Sequence, residues 1–278
     1  MNLGIRAHDV QIFDDIEQLS NRLKELGFSY LQFAPRVSLN KTTDGGKKVS
    51  FGLANQVKNA LTKNQIQIAI LGCYVNMIHP DLGLREEGLE QFEDYLSLAG
   101  TFGASLVASE TGSVDPEFHR TDANYVKEVV DEAIKSIERL ADTADKTGTL
   151  FGIEPGVNHP IHDIKTTQRV LDEVNSPNLK IVLDPINLML NKSDDEYAVL
   201  KNAIQVFGSK IYAFHIKDYD FIDGKKVGMP IGEGIAPLNE MLSLIWKEQP
   251  EAYVILDETP QKNFDISLKR IETIVSSI

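Results

Sequence analysis

The chain has one cysteine, Cys73, among its 278 residues. A lone thiol excludes any intrachain disulfide, and a reducing cytoplasm is the simplest setting for such a protein. Basic residues are also in short supply, with 28 Lys and Arg against 41 Asp and Glu, a formal charge of −13 and a pI near 4.9. A surface of that sign repels phosphate backbones unless a local basic track offsets it, and none is present, so nucleic acid is not an expected partner. Nowhere do about 18 apolar residues run uninterrupted, which argues against a membrane span. The N-terminus lacks the charged-then-apolar pattern of a signal peptide. Internal repeats and low-complexity tracts are absent as well.

What is present is alternation. Short β-branched, apolar runs at 3–6, 29–33, 66–73, 105–109, 149–154, 180–184, 210–216 and 253–257 read as strands. Between them lie stretches with apolar residues three or four apart, the spacing of a half-buried helix. One spans 12–26 and stops at Gly27; another spans 126–144, with Val129, Ala133, Ile137, Leu140 and Ala144 on one face, and ends near Gly148. Eight strands alternating with eight helices predict an α/β fold, a (β/α)8 TIM barrel forming a single domain over residues 1–278. The turns entering strands are short. Those leaving them (34–48, 74–84, 110–122, 155–163 and 217–234) are longer and more polar, as expected of the rim that carries a barrel's chemistry.

Four of the strands run into a metal-binding side chain: Phe151-Gly152-Ile153-Glu154, Ile181-Val182-Leu183-Asp184, Ala213-Phe214-His215 and Val254-Ile255-Leu256-Asp257-Glu258. Glu154 and Asp184 are 30 residues apart and Asp184 and His215 are 31 apart, about one strand-helix-strand unit in each case. Parallel strands repeated at that period bring their C-terminal ends to one rim. A carboxylate at the buried end of a strand is costly unless paired with a cation. Singly, each acid reads equally well as a helix cap or a lysine partner, and His215 as a core histidine; in register together they describe a divalent-metal site. The last strand leaves two choices. Asp257 matches the register of Asp184, whereas Glu258 is longer but alternation directs it to the other face.

Taken in order, Gly152-Ile153-Glu154-Pro155, Leu183-Asp184-Pro185-Ile186-Asn187, Phe214-His215-Ile216-Lys217-Asp218 and Gly232-Glu233-Gly234 resemble the sugar phosphate isomerase/epimerase family. That family has the xylose isomerase-like barrel and is related to endonuclease IV. The likeness extends through Gly4-Ile5-Arg6-Ala7-His8-Asp9 and Ser109-Glu110-Thr111-Gly112-Ser113 and covers essentially the whole chain. It implies one divalent metal (Mn2+, Mg2+, Co2+ or Zn2+) on Glu154, Asp184 and His215, with Asp257 or Glu258 completing the site. Two departures stand out. Many members carry His where this chain has Asn187, a weaker ligand that still donates and accepts hydrogen bonds. The strand-eight Glu of the family falls in register on Asp257, one methylene shorter.

A metal bound to adjacent oxygens of a hydroxy-carbonyl sugar polarises the carbonyl and favours the enediolate left when the α-proton departs. Carboxylates on either side can take and return that proton, with Glu154 and Asp257 or Glu258 as the natural pair. Return to the opposite face epimerises; return to the neighbouring carbon isomerises. Other rim residues are candidates for substrate contact: Arg6, His8, His79, Glu110, His159, Asn187 and Lys217. Each has a plainer alternative. Lys217 can pair with Asp184 or Glu154, Glu110 can cap a turn, and the histidines can bond locally. Gly232-Glu233-Gly234 reads either as an anion cradle before a helix or as a lid hinge.

The leading expectation is a metal-dependent isomerase or epimerase acting on a small carbohydrate. An inosose-dehydratase-like lyase shares the first proton abstraction, and a degenerate barrel would bind its sugar metabolite without turnover. A nuclease of the endonuclease IV type needs more histidines than the six here and a basic track. Members of the family often pair, so a homo-oligomer is an expectation of the resemblance.

Overall fold

Apart from register shifts beside Ala69 and Tyr212, inward and outward side chains alternate along the barrel strands and divide the apolar residues into two cores. In the computed structural model, which describes residues 1–191, 193–223, 225–261 and 264–278, eight parallel strands close into a barrel. They are β1 (Asn2–Arg6), β2 (Tyr30–Phe33), β3 (Gln67–Gly72), β4 (Leu106–Glu110), β5 (Leu150–Glu154), β6 (Leu179–Leu183), β7 (Ile211–Ile216) and, after a hairpin of β8 (Asp218–Ile222) and β9 (Lys225–Met229), β10 (Tyr253–Leu256). Closure pairs β1 with β10, placing Asn2 opposite Tyr253 and Ile5 opposite Leu256. The expected TIM barrel is therefore the observed one.

Among the described residues eight helices cover the barrel in strict alternation with its strands: α1 (Ile16–Glu25), α4 (Phe51–Lys63), α5 (Leu82–Phe102), α6 (Lys127–Thr147), α7 (Ile164–Val174), α8 (Glu196–Phe207), α9 (Leu238–Glu248) and α10 (Phe264–Ser276). Two single-turn helices, α2 (Pro35–Ser38) and α3 (Asn40–Thr43), fill the loop after β2. Outward residues such as Phe151, Ile153, Leu183 and Phe214 pack under the helices in the larger core. Inward residues, including Ile70, Leu106, Val182, Ala213 and Ile255, fill the barrel itself. This plug is a floor. The inward positions one step further along the strands carry the polar side chains of the mouth. No described helix is long and apolar enough to cross a membrane.

Boundaries differ from the sequence reading where capping intervenes. The helix expected over 12–26 starts only at Ile16, because Asp14 adopts a left-handed backbone (φ 57°) and the Asp15 carboxylate accepts the Gln18 amide at 2.9 Å. The helix expected over 126–144 runs on to Thr147, where Gly148 takes the left-handed C-terminal position (φ 70°). The largest difference lies in the loop 217–234, which contains the antiparallel β8–β9 hairpin.

Candidate metal centre and its surroundings

Three strand ends converge. Glu154 ends β5, Asp184 follows β6, and His215 is the penultimate residue of β7; one potential ligand atom from each lies within 4.8 Å of the others. Asp184 and His215 are buried, and Glu154 keeps only 13% of its side-chain surface. The prolines after Glu154 and Asp184 lack an N–H and so stop the sheet ladder where each carboxylate leaves it.

Gln32 on β2 orients the imidazole. Its Nε2 donates to the Tyr74 hydroxyl at 3.0 Å, so its Oε1 is the atom that meets His215 Nε2 at 2.6 Å. An amide oxygen only accepts, which puts a ring hydrogen on Nε2 and leaves Nδ1 facing Glu154, 3.4 Å away. Burial opposes charge on His215, but Glu154, Asp257 and Asp184 outweigh it and push the ring up to about 9. Burial likewise opposes ionisation of Glu154, yet His215 beside it holds the carboxyl below its usual range. At Asp184 burial prevails over Lys217, and the carboxyl is raised.

The residues present fit a divalent ion. Both oxygens of Asp184 and Nδ1 of His215 are buried without a hydrogen-bond partner, although Lys217 Nζ is 2.9 Å from Asp184 Oδ2. That contact is charge proximity, not an aligned bond. Two carboxylates and one imidazole make the hard, mixed O/N donor set that Mn2+, Mg2+, Co2+ and Zn2+ accept. Gln32 supplies the outer partner that fixes the ring nitrogen facing the ion.

On the opposite side of the mouth the charges are already matched. Asp257 is buried, with Arg6 Nη1 2.5 Å from Oδ1 and Lys217 Nζ 2.9 Å from Oδ2. Burial would raise this carboxyl, but Lys217, His215 and Arg6 hold it well below the usual carboxylate range. Arg6 also grips Asp9 Oδ1 through Nε at 3.1 Å and Nη2 at 2.8 Å. Lys217 is almost wholly buried and reaches Glu258 Oε2 at 3.5 Å as well. Glu258 follows Asp257 in a left-handed conformation (φ 50°) with 44% of its side chain exposed.

The remaining sequence candidates surround this centre unequally. Asn187 donates Nδ2 to Glu154 Oε1 at 3.0 Å and accepts from Lys226 Nζ at 3.3 Å, so it touches the centre through Glu154. Glu110 pairs in register with Glu154 on the neighbouring strand, and burial together with the Glu154 charge raises its carboxyl. His8 stands edge-on to Tyr74 with Nδ1 buried and unpartnered; burial and Arg6 bring its ring down to about 4. His159 bonds the Gly112 carbonyl at 2.8 Å, and His79 accepts the Asp81 amide at 3.0 Å, the local bonding that the plainer reading allowed. Both still line the mouth. The glycine pair 232 and 234 does form a cradle of amides. It is filled by the chain's own Asp218, whose Oδ2 accepts from Gly232 at 2.7 Å and Gly234 at 3.0 Å.

Two adjoining cavities open at this rim. One of about 800 Å3 is lined by Arg36, Tyr74, His79, Glu110, Phe118 and His159; the other, of about 590 Å3, by Glu110, Glu154, His159, Asn187, Lys226 and Glu258. Either volume is ordinary for a small-molecule site. Gln32, Tyr74, Phe221 and Lys226 are the lining or supporting residues that the sequence reading passed over. A polar Gln within the run Tyr30-Leu31-Gln32-Phe33 was the available signal for the first.

Residues 21–274 match the family described as xylose isomerase-like TIM barrel, and the chain belongs to that family. Among solved structures it is similar to the probable 3-DHS dehydratase AsbF of Bacillus anthracis, with 16% identity, TM-score 0.76 and 99% of each chain covered. It is similar also to the 3-keto-D-glucoside 4-epimerase YcjR of E. coli, at 17% identity and TM-score 0.74 over 98% of this chain and 99% of that one. The IOLI protein with a bound zinc atom matches at 17% identity and TM-score 0.75, covering 100% of this chain and 99% of that one. At these identities the likeness establishes the fold.

Proposed function

We propose that the protein is a divalent-metal-dependent isomerase or epimerase of a sugar or sugar derivative. The observation that carries this reading is the convergence of Glu154, Asp184 and His215 at the barrel mouth, where both Asp184 oxygens and His215 Nδ1 are buried without a hydrogen-bond partner among the described residues. The kinship with a keto-glucoside epimerase and with a zinc-holding barrel supports it. When bound, the ion supplies positive charge where the substrate oxygen becomes an oxyanion as the α-proton leaves. Glu154 is placed to take that proton, and Asn187 fixes one of its oxygens. An acid at the end of β10 returns it. Lys217, held between Asp184 and Asp257 with Nζ 3.5 Å from Glu258, can turn its third N–H to a substrate oxygen. Arg6 reaches Asp257 from the end of β1, His8 two residues on stands edge-on to Tyr74, and Glu110, His79 and His159 border the larger cavity.

Incubating the protein with Mn2+ or Co2+, a panel of ketohexoses, 3-keto-glucosides and cyclic keto-polyols, and deuterated water tests the proposal. Deuterium appearing at the carbon beside the carbonyl without net loss of water is the expected result. Protein that binds no divalent ion and exchanges no substrate hydrogen would falsify it.

A second reading, dehydration, is favoured by Glu110. Burial and the Glu154 charge raise its carboxyl, and it faces both cavities. An acid shifted in that direction suits the role of donor to a departing hydroxyl. Loss of water in the same incubation would select this reading.

A further inference from the structure

We infer that the substrate is a two-ring carbohydrate without a charged tail: its reacting sugar sits in the cavity beside Glu154, and a second, neutral sugar ring occupies the larger cavity against Phe118. This rests on the isomerase reading above and names the substrate class of that site.

The two cavities form one tract. Glu110, Asn158 and His159 line both, so a molecule seated at Glu154 passes these side chains to enter the larger space. Each volume by itself lies in the range of about 300–1,000 Å3 that houses a whole drug-sized ligand. One sugar ring at Glu154 therefore uses the smaller cavity, about 590 Å3, and leaves the larger, about 800 Å3, to another part of the ligand.

The larger cavity carries an apolar ring held in place by its own turn. Phe118 stands in the loop after β4 with a left-handed backbone (φ 60°) and keeps 37% of its surface exposed. Both features are costly for a phenylalanine. Asp115 enforces them. Its carbonyl accepts the Phe118 amide at 3.0 Å, its Oδ1 accepts the Glu117 amide at 2.9 Å, and its Oδ2 meets His119 Nδ1 at 3.0 Å. The ring so presented stands edge-on to His159, with centroids 6.2 Å apart. A fixed, exposed aromatic offers the flat apolar surface on which the C–H face of a sugar ring packs.

Polar groups around it suit hydroxyls. His159 Nδ1 is 2.8 Å from the Gly112 carbonyl oxygen, which only accepts, so in the neutral ring Nδ1 holds the hydrogen and Nε2 is left to accept. Arg36 Nη1 donates to the Tyr74 carbonyl at 2.7 Å, and its other N–H groups have no hydrogen-bond partner among the described residues. The side-chain amide of Asn158 is likewise unbonded among them. A fixed donor fork, an amide that both donates and accepts, and an imidazole acceptor match a ring whose every hydroxyl does both.

Charge argues against an anionic tail. Arg36 and Lys47 are the arginine and lysine of the lining, Lys47 Nζ stands 3.9 Å from Glu87, and Asp44 and Glu110 add two more carboxyl groups. A phosphate or carboxylate entering here would meet three acids for two cations, repulsion of the kind that selects against a ligand.

The test titrates the full chain, loaded with Co2+, calorimetrically with glucose, glucose 6-phosphate, cellobiose and maltose. Deuterium uptake is then measured on the 3-keto forms of glucose and of both disaccharides. At least one disaccharide should bind about tenfold tighter than glucose, the worth of packing one more ring, and glucose 6-phosphate should bind no tighter than glucose. The keto form of that disaccharide should show the correspondingly higher kcat/KM. Phe118→Ala and Asn158→Ala, both at exposed positions, should each cut the disaccharide-to-glucose affinity ratio, Phe118→Ala to within about twofold of unity. Disaccharides that bind no tighter than glucose or not at all, tighter binding of the phosphate, or a disaccharide preference untouched in Phe118→Ala would each overturn the inference while leaving the isomerase reading standing. Deuterium uptake absent from every keto-sugar would overturn the isomerase reading, and the affinity ratios would still decide the second-ring subsite.

Discussion

The two sides of the barrel mouth are built from the same kinds of charge and use them in opposite ways. On β5, β6 and β7 the carboxylates and imidazole leave ligand atoms unfilled: both Asp184 oxygens and His215 Nδ1 have no hydrogen-bond partner. On β10 and β1 Asp257 accepts a hydrogen bond from Lys217 at Oδ2 and stands in an ion pair with Arg6 at Oδ1, an oxygen that has no aligned hydrogen bond among the described residues either, and Arg6 is shared with Asp9. Buried acids without partners are expensive to maintain, and such expense is what a binding site looks like before its ligand is counted. The matched side is scaffold. Lys217 joins the two, since its ammonium touches Asp184 on one side and Asp257 on the other.

The sharpest break in this contrast comes from removing an unfilled ligand. Asp184→Asn should weaken divalent-ion binding by more than about 100-fold, beyond the range expected for loss of an outer partner, as read by metal analysis after dialysis. An Asp184→Asn protein that retains one tightly held ion per chain would show that the convergence of Glu154, Asp184 and His215 is not the centre. On the matched side the expected loss is in stability. Lys217→Met leaves buried Asp184 without a cation and Asp257 with Arg6 alone, and should cost about 3–5 kcal/mol by urea unfolding. A change below about 1 kcal/mol would mean that solvent reaches this pair and that the two sides do not differ as described.

The unfilled side was legible in the sequence and the matched side was not, for a physical reason. Glu154, Asp184 and His215 sit at equivalent places in successive strand-helix units, so a constant spacing exposes them. Arg6 and Asp257 stand at opposite ends of the chain and meet only because β1 pairs with β10 to close the barrel. No local pattern encodes that contact. The choice between Asp257 and Glu258 stayed open for a different reason: alternation predicts the face of a side chain only while the strand lasts, and a single left-handed residue cancels it. The β8–β9 hairpin had a signal in Asp223-Gly224 between Phe221-Ile222 and Lys225-Lys226-Val227, a dipeptide favoured in tight turns. It was hidden inside a stretch whose length already read as a rim loop.

Gln32 sharpens the comparison from outside it. The residue contacts no candidate ion, yet it fixes which nitrogen of His215 faces Glu154. Gln32→Leu should keep the barrel folded and lower divalent-ion affinity about 10–100-fold, measured by calorimetric titration at constant pH. Equal affinities in the two proteins would mean that the ring is oriented by packing alone.

Glu196 provides the smallest and cleanest measure of what cations do for a buried acid. It opens α8, is 5% exposed, and has the Tyr219 hydroxyl at 2.9 Å as its hydrogen-bond donor. Burial outweighs that hydrogen bond and pushes the carboxyl up to about 7, the opposite direction from Asp257, which is as deeply buried but touches two cations. The consequence for stability follows from the direction of the shift. Below about pH 4.5 the carboxyl is protonated in both folded and unfolded chains and contributes no difference. As pH rises from there to about 7, the unfolded chain ionises first and draws the equilibrium toward itself, so stability is lost through that window. Gln at this position still accepts the tyrosine hydroxyl and never ionises. Glu196→Gln should therefore match the wild-type melting temperature near pH 4 and exceed it at pH 8, by roughly 2–4 °C for each kcal/mol relieved. An advantage that is equal at both pH values would trace to packing, and would remove Glu196 as the uncompensated counterpart of Asp257.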